Sequence, residues 1–330
     1  MVKLDACFQM NDKMQILKCN NLSKFYSKSS SIFNKQSSRL RAVNKINLEL
    51  NLKECLGIVG ESGCGKSTLA KMLAGLIKPS SGEIEINNRN INDYSNKDLP
   101  NHIQYMFQDP ISSLNPRKTI YQSLSAPLKY LRKLDERQID QEIKKIIKEV
   151  NLKEEFLNRF PHEFSGGQAQ RIGIARVLLS KAKIIILDEP VSALDVSVQS
   201  QILNLLNDLQ KKFELSYIVI SHDLAVIEAI CDRVTVMYFG EIAEQAKSKD
   251  LFEKPLHPYT SLLLKSVPTI NQKIKVSNLI ETELPDPLNP PKGCSFNSRC
   301  EKRIEKCKNF IPDETIINDR NYKCFNPLNK

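Results

Sequence analysis

A chain of 330 residues that is 41% hydrophobic and 26% charged has the composition of a globular protein, with room for a full core and about two domains. Its aliphatic runs, such as Ile184 to Leu187, fall far short of the ~18 residues a membrane span needs, and Lys3, Asp5, Asn11, Asp12 and Lys13 interrupt any signal-peptide core; a cytosolic chain with thiols rather than disulfides at its nine cysteines is expected. The net charge of +10 favours anionic partners, but its Lys and Arg are interleaved with acids, as from Lys144 to Glu154, and no RNA module or helix-turn-helix pattern is present, so no nucleic acid is expected.

Lys18 to Tyr26 reads as a short strand ending in Phe25 and Tyr26, aromatics that either close a core or stack on a base. A Ser/Lys-rich loop, Ser27 to Arg41, follows, and Val43, Ile46, Leu48, Leu50 and Leu52 mostly alternate with polar residues, as in a half-buried strand. Leu56 to Val59 predicts a buried strand that runs into Gly60-Glu61-Ser62-Gly63-Cys64-Gly65-Lys66-Ser67, with Thr68 behind it. This fits G-x-x-x-x-G-K-[ST], a loop whose backbone N–H groups wrap phosphate oxygens while the lysine reaches the terminal phosphates and the hydroxyl ligates Mg²⁺. Glycines let the backbone approach a polyanion and take positive φ, and the helix that follows adds its positive dipole end. Leu69, Ala70, Met72, Leu73 and Leu76 supply that helix's spacing.

After the turn Pro79 to Gly82, Glu83 to Ile86 alternates again. Gln104 to Phe107 is a further buried-strand candidate ending at Gln108-Asp109-Pro110, where Gln108 either bonds a metal-bound water or is structural. From Ile111 to Phe164 the pattern turns helical and charged, with Ile139, Ile143, Ile146, Ile147 and Val150 on one face. This inserted segment ends at Ser165-Gly166-Gly167-Gln168, a helix start with an N-cap hydroxyl and bare N–H groups, hence a second anion site. Ile184 to Glu189 is an aliphatic strand ending in two acids: Asp188 is placed to hold Mg²⁺, and Glu189 to take a proton from water. Ser192 to Asp195 lies in the next turn, and Tyr217 to Ile220 is another buried strand, ending at Ser221-His222-Asp223. Val234 to Tyr238 predicts one more strand, and Asp250 to Glu253 begins a final segment.

In this order, Gly60 to Ser67, Gln108, Ser165 to Gln168, Ile184 to Glu189, Ser192 to Asp195 and His222 resemble the nucleotide-binding subunit of ABC transporters, over about residues 15 to 250. The resemblance implies an α/β P-loop NTPase core over residues 1–250, with a helical subdomain at about 109–180. It implies that two such domains pack head to tail, each ATP lying between the loop of one and the Ser165 to Gln168 stretch of the other. By the same resemblance Tyr26, with Phe25 the less favoured alternative, stacks on adenine. Glu61, Ser62, Gly63, Cys64, Gly65, Thr68 and Asp195 join the nucleotide contacts; Lys66, Ser67, Gln108 and Asp188 handle phosphate and Mg²⁺; Glu189 is the general base and His222 the γ-phosphate switch. None of these motifs is degraded, so a hydrolytically competent subunit is expected.

Gln108-Asp109-Pro110 with Ser113 to Arg117, Pro190 to Val198, and His257-Pro258-Tyr259-Thr260 look like the oligopeptide and dipeptide importer ATPases, particularly the second ATPase of the pair. So does the tail over residues 251–330, where Leu284-Pro285 and Pro287 to Pro291 lead into Gly293-Cys294, then Cys300, Cys307 and Cys324. Relatives with this tail carry a [4Fe-4S] cluster on thiolates. The spacing of five, six and sixteen intervening residues is not the C-x₂-C pairing of a zinc ribbon, and zinc or uncoordinated thiols stay as alternatives. The implied partners are a second ABC ATPase in a heterodimer, two integral-membrane permease subunits and an extracytoplasmic solute-binding protein, with this chain peripheral on the cytoplasmic side of the membrane. Nickel, glutathione or another small solute is the neighbouring alternative to peptides, and a soluble ABC ATPase acting on DNA or ribosomes is the alternative class.

Overall fold

The computed structural model describes residues 14–27, 39–266, 285–286 and 288–329. Cys7, Leu284, Pro287 and residues 28–38 of the Ser/Lys-rich loop lie outside the described residues. The chain begins with β1 (Gln15–Ser27), β2 (Arg39–Asn51), β3 (Cys55–Val59) and α1 (Lys66–Leu73), then β4 (Ser81–Ile86), β5 (Arg89–Asn90) and β6 (Ile103–Met106). Helices α2 (Ile120–Tyr130), α3 (Glu136–Glu149) and α4 (Gly166–Leu178) precede β7 (Ile184–Asp188), α5 (Val196–Phe213), β8 (Ser216–Ile220) and α6 (Leu224–Ile230). The last elements are β9 (Arg233–Tyr238), β10 (Glu241–Lys247), α7 (Ser248–Glu253), α8 (Pro258–Lys265), α9 (Lys306–Asn309), β11 (Thr315–Ile317) and β12 (Arg320–Tyr322).

Two sheets result among the described residues: a smaller antiparallel one in the order β2-β1-β4-β5, and a larger one in the order β11-β12-β10-β9-β3-β8-β7-β6. In the larger sheet the run from β9 to β6 is parallel, while β10 pairs antiparallel with β9 and with β12. The uninterrupted apolar runs of β3, β7 and β8 follow from having a core on each face. Cys55, Val59, Ile185, Leu187, Tyr217 and Val219 enter one hydrophobic cluster, which they share with α2 to α6. Leu56, Ile58, Ile184, Ile186, Ile218 and Ile220 enter another, shared with α1 and the smaller sheet.

The helical insertion packs as its spacing predicts, Ile139, Ile143, Ile146 and Ile147 all being buried. Asp135 closes its N-terminus with a reciprocal cap, accepting from the Gln138 N–H at 2.8 Å while Gln138 accepts from the Asp135 N–H at 3.2 Å. Two expectations need correction. β6 is the edge strand of the sheet, so it is not buried on both faces: Gln104 and Tyr105 are half-buried and Phe107 is exposed. Leu76 does not belong to the first helix, because α1 stops at Leu73, Gly75 takes φ +72° and Leu76 is left exposed.

Among the described residues, the C-terminal segment adds to the core of the main body. Tyr259 and Phe296 are buried in the same cluster as α4 and α5, and β12 extends the main sheet through Glu244↔Tyr322 and Gln245↔Asn321.

Candidate functional site

β3 lies between β8 and β9, all parallel, and the chain leaves its C-terminal end in the loop Gly60 to Gly65. Two glycines there are sterically required. Gly60 has φ +151°, and a Cβ on it would meet the Met237 carbonyl oxygen at 2.2 Å; Gly65 has φ +106°, and a Cβ on it would meet the Ala42 carbonyl oxygen at 2.2 Å. The loop is thereby pressed against the ends of β9 and β2 and curls back on itself. Lys66, 7% exposed, donates from Nζ to the carbonyls of Gly60 at 2.7 Å and Glu61 at 2.9 Å, with the buried Cys64 Sγ at 3.8 Å. Burial pushes the Cys64 thiol up, so it stays protonated beside the ammonium. Ser62, Gly63 and Ser67 face solvent and Thr68 is half-buried, at the N-terminus of α1. Bare N–H groups, a cation and a free hydroxyl at a helix start suit a polyphosphate with its Mg²⁺.

Three of the expected site residues come from adjacent parallel strands. Residues just beyond β6, β7 and β8 meet because those strands are neighbours in the sheet. Glu189 is the centre of the group: Gln108 Nε2 donates to its Oε2 at 3.1 Å, and His222 Nδ1 lies 2.9 Å from its Oε1. Gln108 also reaches Ser192 Oγ at 3.4 Å. Glu189 takes φ +48° with its N–H bonded to the Ile220 carbonyl at 2.9 Å, a backbone state an L-residue rarely adopts. That turn throws its carboxylate across the strand ends, between Gln108 and His222. Asp188, half-buried at the end of β7, has its carboxyl pushed up by burial, an effect opposed by the Tyr105 hydroxyl that donates to Oδ2 at 2.5 Å. Mg²⁺ binding would favour the ionised carboxylate there.

The remaining motif residues make their own local contacts. Ser165 is the extended N-cap of α4, and Gln168 Oε1 accepts from its N–H at 3.2 Å. Cβ atoms on Gly166 and Gly167 would meet Leu194 at 3.0 Å and Val198 at 2.5 Å, so this stretch lies directly on the turn that holds Asp195. Asp195 caps α5, accepting from the Val198 N–H at 2.9 Å and the Ser197 hydroxyl at 2.7 Å; the backbone bond, first of these, holds its carboxyl below the usual range. Among the described residues no hydrogen bond or ion pair joins Ser165 to Gln168, or Asp195, to the loop Gly60 to Ser67. Tyr26 ends β1 as an exposed ring with Lys24 Nζ 5.3 Å from its centroid, while Phe25 is half-buried. A groove of about 410 Å³ lies along the β6 edge, lined by Leu99, Tyr105, Phe107, Pro110, Ser113 and Arg176 among others.

Cys294, Cys300, Cys307 and Cys324 occupy one neighbourhood. The Cys294 N–H donates to the Cys307 carbonyl at 2.9 Å. Burial pushes the Cys294 and Cys324 thiols up to about 11, and the neighbouring thiols push each further the same way. Among the described residues, however, no three His, Cys, Asp or Glu side chains converge into a group that would hold a metal ion. Cys55 and Cys231 also adjoin, with Sγ atoms 3.6 Å apart in the core; Cys19 is buried near the Ile46 carbonyl.

Sequence reasoning missed Tyr105, Tyr259 and Arg299. Tyr105 sits inside an apolar run, where a hydroxyl gives no sign of its partner. Tyr259 and Arg299 are 198 and 238 residues from the loop residue they contact, Glu61.

Comparison with known proteins agrees with this geometry. The family described as ABC transporter matches residues 43–192, and that described as oligopeptide/dipeptide transporter, C-terminal region, matches residues 243–307. The chain is 43% identical over 305 residues to the oligopeptide transport ATP-binding protein AppF of Bacillus subtilis, covering 90% of this chain and 93% of that one. It is 40% identical to the di/tripeptide transport ATP-binding protein DppF of Pseudomonas aeruginosa, covering 94% and 97%. Among solved structures, the dimeric post-hydrolysis state of the ATP-binding cassette MJ0796 bound to ADP and Pi superposes with a TM-score of 0.63 at 29% identity, covering 71% of this chain and 99% of that one.

Proposed function

The chain belongs to the ABC transporter ATPases, within the oligopeptide and dipeptide ATP-binding subunits, and from that premise we propose that it binds and hydrolyses ATP to power uptake of short peptides. The observation that carries the chemistry is the Glu189 carboxylate held between Gln108 and His222 at the ends of parallel strands. The N–H groups of the loop and the Lys66 ammonium take the phosphates, and Tyr26 offers its exposed ring to the adenine. Ser67, Asp188 and Gln108 would hold Mg²⁺, which would supply charge neutralisation for the phosphates.

Glu189 orients a water and takes its proton as the oxygen attacks the γ-phosphorus; the bond to the bridging oxygen breaks, and ADP and phosphate leave. His222 donates to a γ-phosphate oxygen and links that contact back to Glu189. In full-length protein with its partners, Glu189→Gln is expected to lower ATP turnover ~10²- to 10⁴-fold while leaving ATP binding intact. Unchanged turnover would remove Glu189 as the base.

The Ser165 to Gln168 stretch and Asp195 serve the ATP of a second ATPase subunit, in a heterodimer packed head to tail. That no hydrogen bond or ion pair among the described residues joins them to the loop of their own chain supports this. The groove beside Tyr105 and Phe107 receives a helix of the permease: it is open, largely apolar and adjacent to Gln108 and Asp188. No helix among the described residues is long and apolar enough to cross a membrane, so association with the membrane is through those permease subunits.

We divide the chain by task into residues 1–250, with the helical insertion at about 109–180 facing the permease, and residues 251–330. In the latter, Cys294, Cys300, Cys307 and Cys324 are proposed as ligands of a [4Fe-4S] cluster. The four thiols share one neighbourhood, where Cys294 and Cys324 are each pushed up by burial and by the neighbouring thiols, which supports this reading.

A further inference from the structure

Glu61, the first variable residue of the phosphate loop, has every polar group occupied. Its carbonyl accepts from Lys66 at 2.9 Å, and its N–H donates to the Tyr259 hydroxyl at 3.0 Å. Its carboxylate is gripped by both terminal nitrogens of Arg299, Nη1 to Oε2 at 2.7 Å and Nη2 to Oε1 at 2.8 Å. The Arg299 side chain is only 10% exposed, and its guanidinium lies 5.8 Å from the ring centroids of Tyr238 and Phe296. Two of the three anchors on this residue therefore come from the C-terminal 80 residues, none of which carries a nucleotide motif.

A carboxylate in this loop is an electrostatic liability. Like charges at short range repel, and the ligand is a polyanion. A bidentate guanidinium cancels that field at its source and fixes the direction of the carboxylate, which a point-charge ammonium does less well. Arg299 is itself fixed: its N–H bonds the Phe296 carbonyl at 3.1 Å, its aromatic neighbours Tyr238 and Phe296 are both buried, and Cys300 follows it in the chain.

We propose that Arg299 is a positioning residue for ATP: by neutralising and anchoring Glu61 it keeps the phosphate loop in its anion-receiving shape, and so makes nucleotide affinity depend on the order of the cysteine-bearing extension. The inference rests on the ATPase function proposed above. Arg299 need not touch the nucleotide. Its loss acts on KM and Kd more than on kcat, because Glu189, Gln108 and His222 are untouched.

The test uses full-length Arg299→Ala, Arg299→Lys and Glu61→Gln proteins and the double variant Glu61→Gln/Arg299→Ala, with thermal melting, binding of a fluorescent ATP analogue with Mg²⁺, and KM and kcat for ATP. Arg299→Ala is expected to raise Kd and KM about tenfold, with a smaller change in kcat, and Arg299→Lys to recover part of the loss. In the Glu61→Gln background, where no carboxylate needs neutralising, removing Arg299 is expected to cost markedly less. A folded Arg299→Ala protein with wild-type Kd and KM, or an equal loss in both backgrounds, would overturn the proposal. Should Arg299→Ala not fold, Arg299→Lys with and without Glu61→Gln decides it by the same comparison. Wild-type protein that binds the analogue but does not turn over ATP would fault the ATPase function and leave the binding comparison standing.

Discussion

His257 caps α8 from inside the protein. It is 4% exposed, accepts the Tyr259 N–H on Nδ1 at 3.0 Å, and lies 5.9 Å from the Phe296 ring. The nearest carboxylate, Glu244, is spent on the backbone N–H groups of Leu256 and His257 and on Arg320. Burial holds the imidazole neutral and lowers its pKa from 6.5 to about 4. Because the unfolded chain binds a proton there first, stability is whole above about pH 6.5 and is lost as pH falls toward 4. The melting temperature is expected to fall more steeply between pH 7 and 5 in the wild type than in His257→Gln; parallel slopes would show that His257 does not titrate on unfolding. Tyr259, which His257 orients, bonds the phosphate loop, so acid should also loosen nucleotide binding. At this scale the positions of Gln108, Glu189 and His222 just past predicted strands were readable, where a parallel sheet presents its chemistry, while their roles came from the resemblance. Tyr105 and Arg299 were not, since their roles are set by partners far along the chain.

Among elements, β3, β7 and β8 were legible as unbroken apolar runs and α3 by its isoleucine face, whereas β10, β11 and β12 were not. β10 owes its place to packing. Its Glu244 is fully buried, and with Arg320 and the start of α8 it ties the extension to the main sheet. Removing one partner of such a buried pair costs roughly 3–5 kcal/mol. The cysteine segment between Gly293 and Cys324 is joined to that frame through β12 and carries the four thiols proposed as cluster ligands. Anaerobically purified protein is expected to contain iron and acid-labile sulfide, lost in Cys324→Ser. Metal-free or zinc-only protein prepared under the same conditions would remove the cluster assignment.

For the whole molecule, the phosphate loop and the Ser165 to Gln168 helix start belong to one chain but have no bond between them. On the two-subunit proposal, each half-site is completed by another subunit. ATP turnover per chain is therefore expected to fall on dilution of this chain alone and to return when the second ATPase subunit is added. Turnover at full rate by a strict monomer, independent of concentration, would refute the two-subunit site. The Tyr105 ring lines the groove proposed for the permease and its hydroxyl bonds Asp188, so docking and metal binding share one side chain.

The amino-acid sequence by itself determined the kind of chemistry and the frame that carries it. Glycines that let the loop take positive φ, a lysine and serine at a helix start, and acids at strand ends are local necessities, written within a few residues of where they act. Tertiary structure alone decided which side chains meet across 80 to 240 positions: Tyr105 with Asp188, Glu189 with Gln108, and Arg299 with Glu61. The reason is physical: periodicity and turn chemistry report on a residue's own segment, whereas a bidentate ion pair between distant segments depends on how the sheets and helices pack, which no local pattern encodes.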